Sequence, residues 1–313
     1  MKLTINFKPN MLSVMIAGAL GLAHAPSYAS LLNYTLTAET SYEQDANSDS
    51  NSDTGPVSAW SNISLYSAEA NLWGSASGDS NGWMYSVSSG EGQDYRVDSS
   101  ITQSVDVQNN SGIDLDYSYD FVINFGSLSA YNWGFTDADE YSQAGYVVEI
   151  ALNNTTIWAS AAELLTDLNG TTANFSGTQW ASYSAGSDWF NWGEYSDTLN
   201  LGTLSAGSSF HLTYRISTFV AGNHLGCGGI GIVAFDSAGP DCDDGYGYGY
   251  GHGFTGSSYA QFGDPNNFNT TPVAFSDDNI TGRPTTSVPA PSTALILGAG
   301  LAGLAFRRRK NKV

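Results

Sequence analysis

Lysine is missing from residues 9 to 309 of this 313-residue chain, and between the two termini only Arg96, Arg215 and Arg283 carry permanent positive charge. All 30 acidic residues fall between residues 30 and 287, where those three arginines are the permanent cations, so 3 cations against 30 anions leave this central segment at −27 with histidine neutral. A field of that sign repels nucleic acid and excludes it as a partner, while it attracts divalent cations and keeps the chain soluble. The shortage of Lys and Arg also disfavours long amphipathic helices, whose wet faces usually carry them. Cysteine occurs twice, at Cys227 and Cys242. Neither has a close Cys/His companion of the kind a structural zinc site needs, and His224 alone does not complete one. No G-x-S-x-G elbow and no H-E-x-x-H helix is present, and His211, His224 and His252 are scattered, so no motif with a catalytic mechanism stands out.

What the chain has instead is Ser, Thr, Asn, Gly, Tyr and Trp, with aromatics at 13%. Disordered acidic tails lack aromatics, so this composition points to β-strands with wet loops. From Ile113 to Phe125 every odd position is apolar and the even ones are mostly Asp, Ser or Asn. That alternation predicts a half-buried strand with one acidic face. Ile101 to Val107 alternates more loosely before it, and Asn109-Asn110-Ser111-Gly112 reads as a turn, so the two are expected to pair as a hairpin. Further strands are expected over Tyr146 to Leu152, ended by a turn at Asn153-Asn154, and over Phe210 to Ile216. Shorter ones are expected at Leu32 to Thr37, Trp60 to Tyr66, Trp83 to Val87, Leu199 to Leu204 and Ile230 to Phe235. A helical turn or two is expected only at Ala159 to Asp167. Asp45 to Gly55 (DANSDSNSDTG) and Gly245 to Phe254 (GYGYGYGHGF) read as low-complexity excursions. The fold class that fits is all-β, an antiparallel sandwich or jelly roll.

The two ends are of a different kind. Lys2 and Lys8, the uncharged stretch from Met11 to Ala23, and Ser27-Tyr28-Ala29 have the order of a secretory signal, with cleavage by signal peptidase expected after Ala29. An oxidising compartment follows, in which Cys227 and Cys242 are expected to close one disulfide loop contributing about 3 kcal/mol. At the other end Val288-Pro289-Ala290-Pro291-Ser292 leads into an apolar run, Ala294 to Phe306, and then into Arg307, Arg308, Arg309 and Lys310. A helix over that run is about 20 Å long, short of the ~30 Å hydrocarbon core, and its basic cluster would stop it at the cytoplasmic face. It is a marginal transmembrane helix, suited to being held briefly. These residues resemble the PEP-CTERM sorting tail of Gram-negative bacteria, with Ala290 where the family usually has Glu. The resemblance implies recognition by an exosortase in the inner membrane and release to the cell surface or an exopolysaccharide matrix. A plain tail anchor is the alternative. The expected domains are a signal peptide (1–29), an acidic ectodomain (30–269), a linker (270–287) and a sorting or anchor segment (288–313).

Three constellations in the ectodomain are candidates for chemistry. Asp49, Asn51 and Asp53 alternate oxygen donors as a calcium loop does, although Thr54 stands where such a loop needs Gly. Asp137, Asp139 and Glu140, and Asp241, Asp243 and Asp244, are further oxygen-rich stretches, so calcium is the one cofactor the sequence suggests. Asn132-Trp133-Gly134 and Asn191-Trp192-Gly193 repeat one motif, and an exposed Trp133 or Trp192 would offer a face on which sugar rings stack; burial at the ends of the core is the competing reading. The function expected is a non-enzymatic adhesive or structural surface protein. The alternative is a carbohydrate-binding module or a glycoside hydrolase, the latter requiring two carboxyls about 5–9 Å apart.

Overall fold

The computed structural model describes residues 29–44, 47–67, 69–80, 82–225, 254–263, 275 and 279–285. They form an all-β, antiparallel, multi-sheet fold of sixteen strands. The signal peptide up to Tyr28, the pair Cys227 and Cys242, the strand expected at Ile230 to Phe235, the acids Asp241, Asp243 and Asp244, and the tail from Val288 to Arg309 lie outside the described residues.

A seven-stranded sheet contains β1 (Ala29–Gln44), β2 (Asn47–Gly55), β6 (Tyr95–Asn109), β9 (Tyr141–Leu152), β10 (Thr155–Asp167), β11 (Gly170–Gly177) and β14 (Ser209–Asn223), in the order β11-β10-β9-β14-β6-β1-β2. A six-stranded sheet contains β3 (Ser58–Tyr66), β4 (Ala70–Asp79), β5 (Met84–Gly92), β8 (Gly126–Asn132), β12 (Trp189–Trp192) and β15 (Gly256–Phe262), in the order β12-β8-β15-β5-β4-β3. A three-stranded sheet sets β7 (Leu115–Ile123) between β13 (Tyr195–Leu204) and β16 (Ile280–Pro284).

Buried faces of all three sheets meet in one core. Between the two larger sheets the contact is close and partly polar. Ser86 Oγ lies 2.9 Å from Thr218 Oγ1, and Ser88 Oγ donates to Thr218 O at 3.1 Å. Gly74 permits that approach, since a Cβ there would sit 2.8 Å from Ser99 Oγ. Elsewhere the filling is aromatic: Phe121 meets the Trp158 ring edge-on at 4.9 Å, and Tyr146 meets Trp192 at 4.5 Å.

The alternation around residue 119 is realised in β7, where Leu115, Tyr117, Tyr119, Phe121 and Ile123 are buried. Its wet face is laddered rather than bare, with Thr203 Oγ1 donating to Asp116 and Thr198 Oγ1 to Asp120. The turn at Asn153-Asn154 joins β9 to β10 with both residues left-handed, at φ 49° and 64°, as a two-residue hairpin requires.

Four expectations are corrected. First, β6 and β7 do not form a hairpin: β6 pairs with β1 and β14, and the chain crosses to another sheet before β7. Second, the stretch expected as helix is β10, because Trp158, Ser160, Ala162, Leu164 and Thr166 are buried with period two, a pattern blurred by alanines on the other face. Third, the acidic excursion is largely β2, an edge strand paired to β1 from Leu36↔Gly55 to Gln44↔Asn47. Fourth, the stretch expected as linker contributes β16, with Ile280 and Phe275 buried in the core.

Candidate aromatic face and its buried brace

In the six-stranded sheet one parity of each strand faces the core and the other is directed outward, although on the outward parity Ser75 and Ser77 of β4 and Tyr85 and Val87 of β5 are buried as well. On β12, Phe190 and Trp192 are buried and Trp189 and Asn191 are exposed. On β8, Ser127 and Tyr131 face out, and on β15, Ser257, Tyr259 and Gln261 do. On β4 and β3 the outward set includes Asn71, Trp73, Trp60, Asn62 and Tyr66. Four Trp or Tyr side chains stand out as exposed among the described residues: Trp60 (59%), Tyr66 (72%), Trp133 (50%) and Trp189 (51%). Three project from this one face, and Trp133 sits at its rim, directly after β8. Trp133 stacks on Tyr131 with ring centroids 6.2 Å apart and planes 14° apart. A shallow depression of about 500 Å³ lies between Trp189, Tyr131, Trp133, Tyr259 and Glu91.

The rings are held down. Trp73 Nε1 donates to Asn62 Oδ1 at 3.1 Å, and the Tyr259 hydroxyl donates to Gln261 Oε1, two residues along the same strand. At the rim, Asn132 Oδ1 accepts from Gly134 N and Phe135 N, a side-chain-capped turn that fixes Trp133.

Behind the rim is a buried polar brace. Glu140 is 1% exposed and His224 fully buried. Glu140 accepts from Thr136 N (2.6 Å), Asp137 N (2.8 Å), Leu225 N (3.2 Å) and the Thr255 hydroxyl. Burial pushes its carboxyl up, but these bonds together outweigh burial and hold it below the ordinary range. Burial pushes His224 down to about 4, against the smaller upward pull of Glu140. Gly92 N approaches His224 Nδ1, so Nε2 carries the proton and donates to Ser142 Oγ at 2.8 Å, while Ser142 donates onward to Tyr131 O at 2.8 Å. An activated serine needs the opposite polarity, with Nε2 accepting the hydroxyl proton. This pair therefore braces the Tyr131 backbone and is not set up as a nucleophile. Thr255 O in turn accepts from Trp133 N at 2.7 Å.

A larger concavity, about 700 Å³, lies on the seven-stranded sheet and is lined mainly by Ser, Thr and charged groups. Its single aromatic ring, Phe219, is covered by the Arg96 guanidinium 4.9 Å above it. Arg96 is itself clamped by both oxygens of Asp98 at 2.7 Å. It presents no free aromatic face.

The sequence candidates are distributed as follows. Trp133 is exposed on the aromatic rim. Trp192, expected with it as a stacking residue, is 4% exposed in the core with Nε1 donating to Asn124 O at 3.0 Å, so it has no face for a ligand. Trp73, in Asn71-Leu72-Trp73-Gly74, is a looser echo of the same motif and lies on β4 rather than in a loop. Trp189, Tyr131 and Tyr259 belong to no such motif, and the period-two reading of residues 188–192 is the signal that separates Trp189 from Trp192. Asp49, Asn51 and Asp53 lie along one face of an extended strand, where alternate residues are about 6.8 Å apart. All three are already engaged, Asp49 Oδ1 accepting from Ser50 N, Asp53 Oδ2 accepting from Trp60 N and Asn51 Nδ2 donating to Asn62 O. Asp137 Oδ1 accepts from Asp139 N, and Glu140 is fully occupied. Among the described residues no three His, Cys, Asp or Glu side chains are grouped to hold a metal ion, and no helix is long and apolar enough to cross a membrane.

Comparison with known protein families matches residues 287–310 to the PEP-CTERM protein-sorting motif. The chain therefore carries that motif near its C-terminus, which supports export and sorting to the cell surface. No curated protein matches the chain, and no solved structure matches it.

Proposed function

We propose that this is an exported, exosortase-sorted protein of the cell surface or exopolysaccharide matrix, and that it acts without catalysis, as an adhesin binding glycan on the outer face of its six-stranded sheet. The observation that carries the reading is the gathering of exposed Trp and Tyr on that one face, interleaved with Ser, Asn and Gln. Sugar rings are recognised by such surfaces, an apolar plate beside groups that exchange hydrogen bonds with hydroxyls. Among the described residues Glu91 is the one carboxylate lining the depression, whereas glycoside hydrolysis needs a pair. The three sheets, with one shared core, are read as a sandwich of jelly-roll type.

In the proposed route, signal peptidase removes the leader after Ala29, the apolar run 294–306 holds the chain briefly in the inner membrane, and an exosortase-like enzyme acts at the Val288–Pro291 segment. Mass spectrometry of surface-extracted protein tests the address: the mature form should lack Arg307 to Lys310, and their retention would make the tail a permanent anchor. A glycan array with and without calcium tests the binding. Signal that disappears in Trp133→Ala and Trp189→Ala supports the reading; a blank array refutes it.

A further inference from the structure

Strand register places three of the outer-face aromatics in a single line. Trp73 on β4 is paired with Ser89 on β5, Ser89 with Tyr259 on β15, Tyr259 with Ser129 on β8, and Ser129 with Trp189 on β12. The row therefore reads Trp, Ser, Tyr, Ser, Trp, perpendicular to the strands. Neighbouring strands are about 4.8 Å apart, so successive rings recur at about 9.6 Å with a small side chain between each pair. Trp73 and Tyr259 are tied along the sheet by Asn62 and Gln261, and Trp189 is half exposed at the edge strand.

From this row we infer that the ligand is an extended, ribbon-like, β-linked neutral glycan whose chain crosses the strands from β12 to β4. This deepens the glycan-binding reading above and rests on it. In a flat β-linked chain each sugar is turned over relative to the last, so the same ring face returns at every second sugar. Rings on alternate strands meet that repeat. Between Trp73 and Tyr259 the half-buried Ser89 leaves room and a hydroxyl partner for the intervening sugar, whereas Ser129, between Tyr259 and Trp189, is buried and leaves those two rings to carry the contact there. A coiled α-linked chain does not keep one face directed at a flat row. Charge sets the second restriction: the central segment carries −27 and the depression contains Glu91, so a uronate polymer is repelled while a neutral one is not. Tyr131 and Trp133 lie off the row, toward one end of the strands, and would contact a branch or a chain end.

The test uses the exported protein with neutral β-1,4-linked oligosaccharides of increasing length, a coiled α-linked glucan and a uronate polymer, in titration calorimetry. Affinity for the β-linked series should step upward as the chain becomes long enough to reach a second ring and again at the third. Trp189→Ala, on a half-exposed edge residue, should weaken the longest oligomer about tenfold and leave the shortest unchanged. Smooth length dependence, or equal affinity for the coiled glucan or the uronate polymer, overturns the inference while leaving glycan binding in place. Failure of every glycan overturns the inference together with the reading beneath it.

Discussion

Trp189 and Trp192 are three residues apart on one short strand and have opposite roles, which makes them a natural pair for substitution. Trp192 packs on Tyr146, Phe190 and Phe262 and gives its Nε1 proton to Asn124 O. Trp192→Ala should therefore cost about 3–5 kcal/mol of stability. Trp189→Ala should change the urea midpoint by less than about 0.5 kcal/mol equivalent and act only on binding. Equal destabilisation by both would mean that the parity of β12 is misassigned. His224 gives a second residue-scale prediction. Its folded pKa, about 4, lies below the unfolded value near 6.5, so between those values the unfolded chain binds more protons than the folded one. The stability this buried neutral imidazole preserves is full above pH ~6.5 and falls as pH drops toward ~4, by about 3 kcal/mol at most. Glu140 is held below its ordinary range, so its contribution is full above its unfolded value of 4.5 and is lost as pH falls below that, after most of the His224 decline. Urea titrations across pH 7 to pH 4 should show a decline that is steeper in wild type than in His224→Gln. Parallel curves would show that His224 is not buried neutral.

At the scale of elements, the strands with strict alternation were legible and those that break it were not. Leu115 to Ile123 announces its face because each inward residue is large and three of the four intervening ones, Asp116, Ser118 and Asp120, are short or acidic. β10 does not, because alanines on both of its faces resemble a helix in composition. β2 contains no apolar side chain, and only its backbone pairing with β1 makes it a strand. Pairing partners were less legible still: nothing in residues 101–125 says that β6 pairs with β14, more than a hundred positions on, rather than with β7. The aromatic face was half legible for the same reason. Trp133 was found through its glycine-flanked motif, whereas the Trp73–Tyr259–Trp189 row exists only once β4, β15 and β12 are placed in one sheet. β16 yields an element-scale prediction. It covers β7 with Ile280 and adds a Ser118–Thr281 hydroxyl contact at 3.0 Å. Ile280→Ala should cost about 2–4 kcal/mol, as for a buried core residue. A loss below about 0.5 kcal/mol would return residues 279–285 to the status of a linker.

At the scale of the whole molecule, charge is the dominant fact: −27 over a central segment with three arginines, one of them consumed by Asp98. Such a charge keeps copies apart in solution and opposes compaction, and it leaves the choice between general screening and specific cation binding open to measurement. The described acids lean toward screening. Those of β2 are spread along an extended strand, Asp116 and Asp120 accept from threonines, and Glu140 is saturated by donors. Raising sodium chloride from about 0.01 M to about 0.3 M shortens the Debye length from ~30 Å to under 10 Å and should raise the melting temperature. A bound ion would instead stabilise by RT ln(1 + [L]/Kd), about 2.7 kcal/mol at a hundredfold excess, at constant ionic strength. The Asp49→Asn/Asp53→Asn double variant should therefore keep whatever calcium-over-magnesium difference the wild type shows at matched ionic strength. If that difference vanished with those two carboxylates, β2 would have to rearrange around an ion, and its pairing to β1 would be a property of the metal-free chain alone.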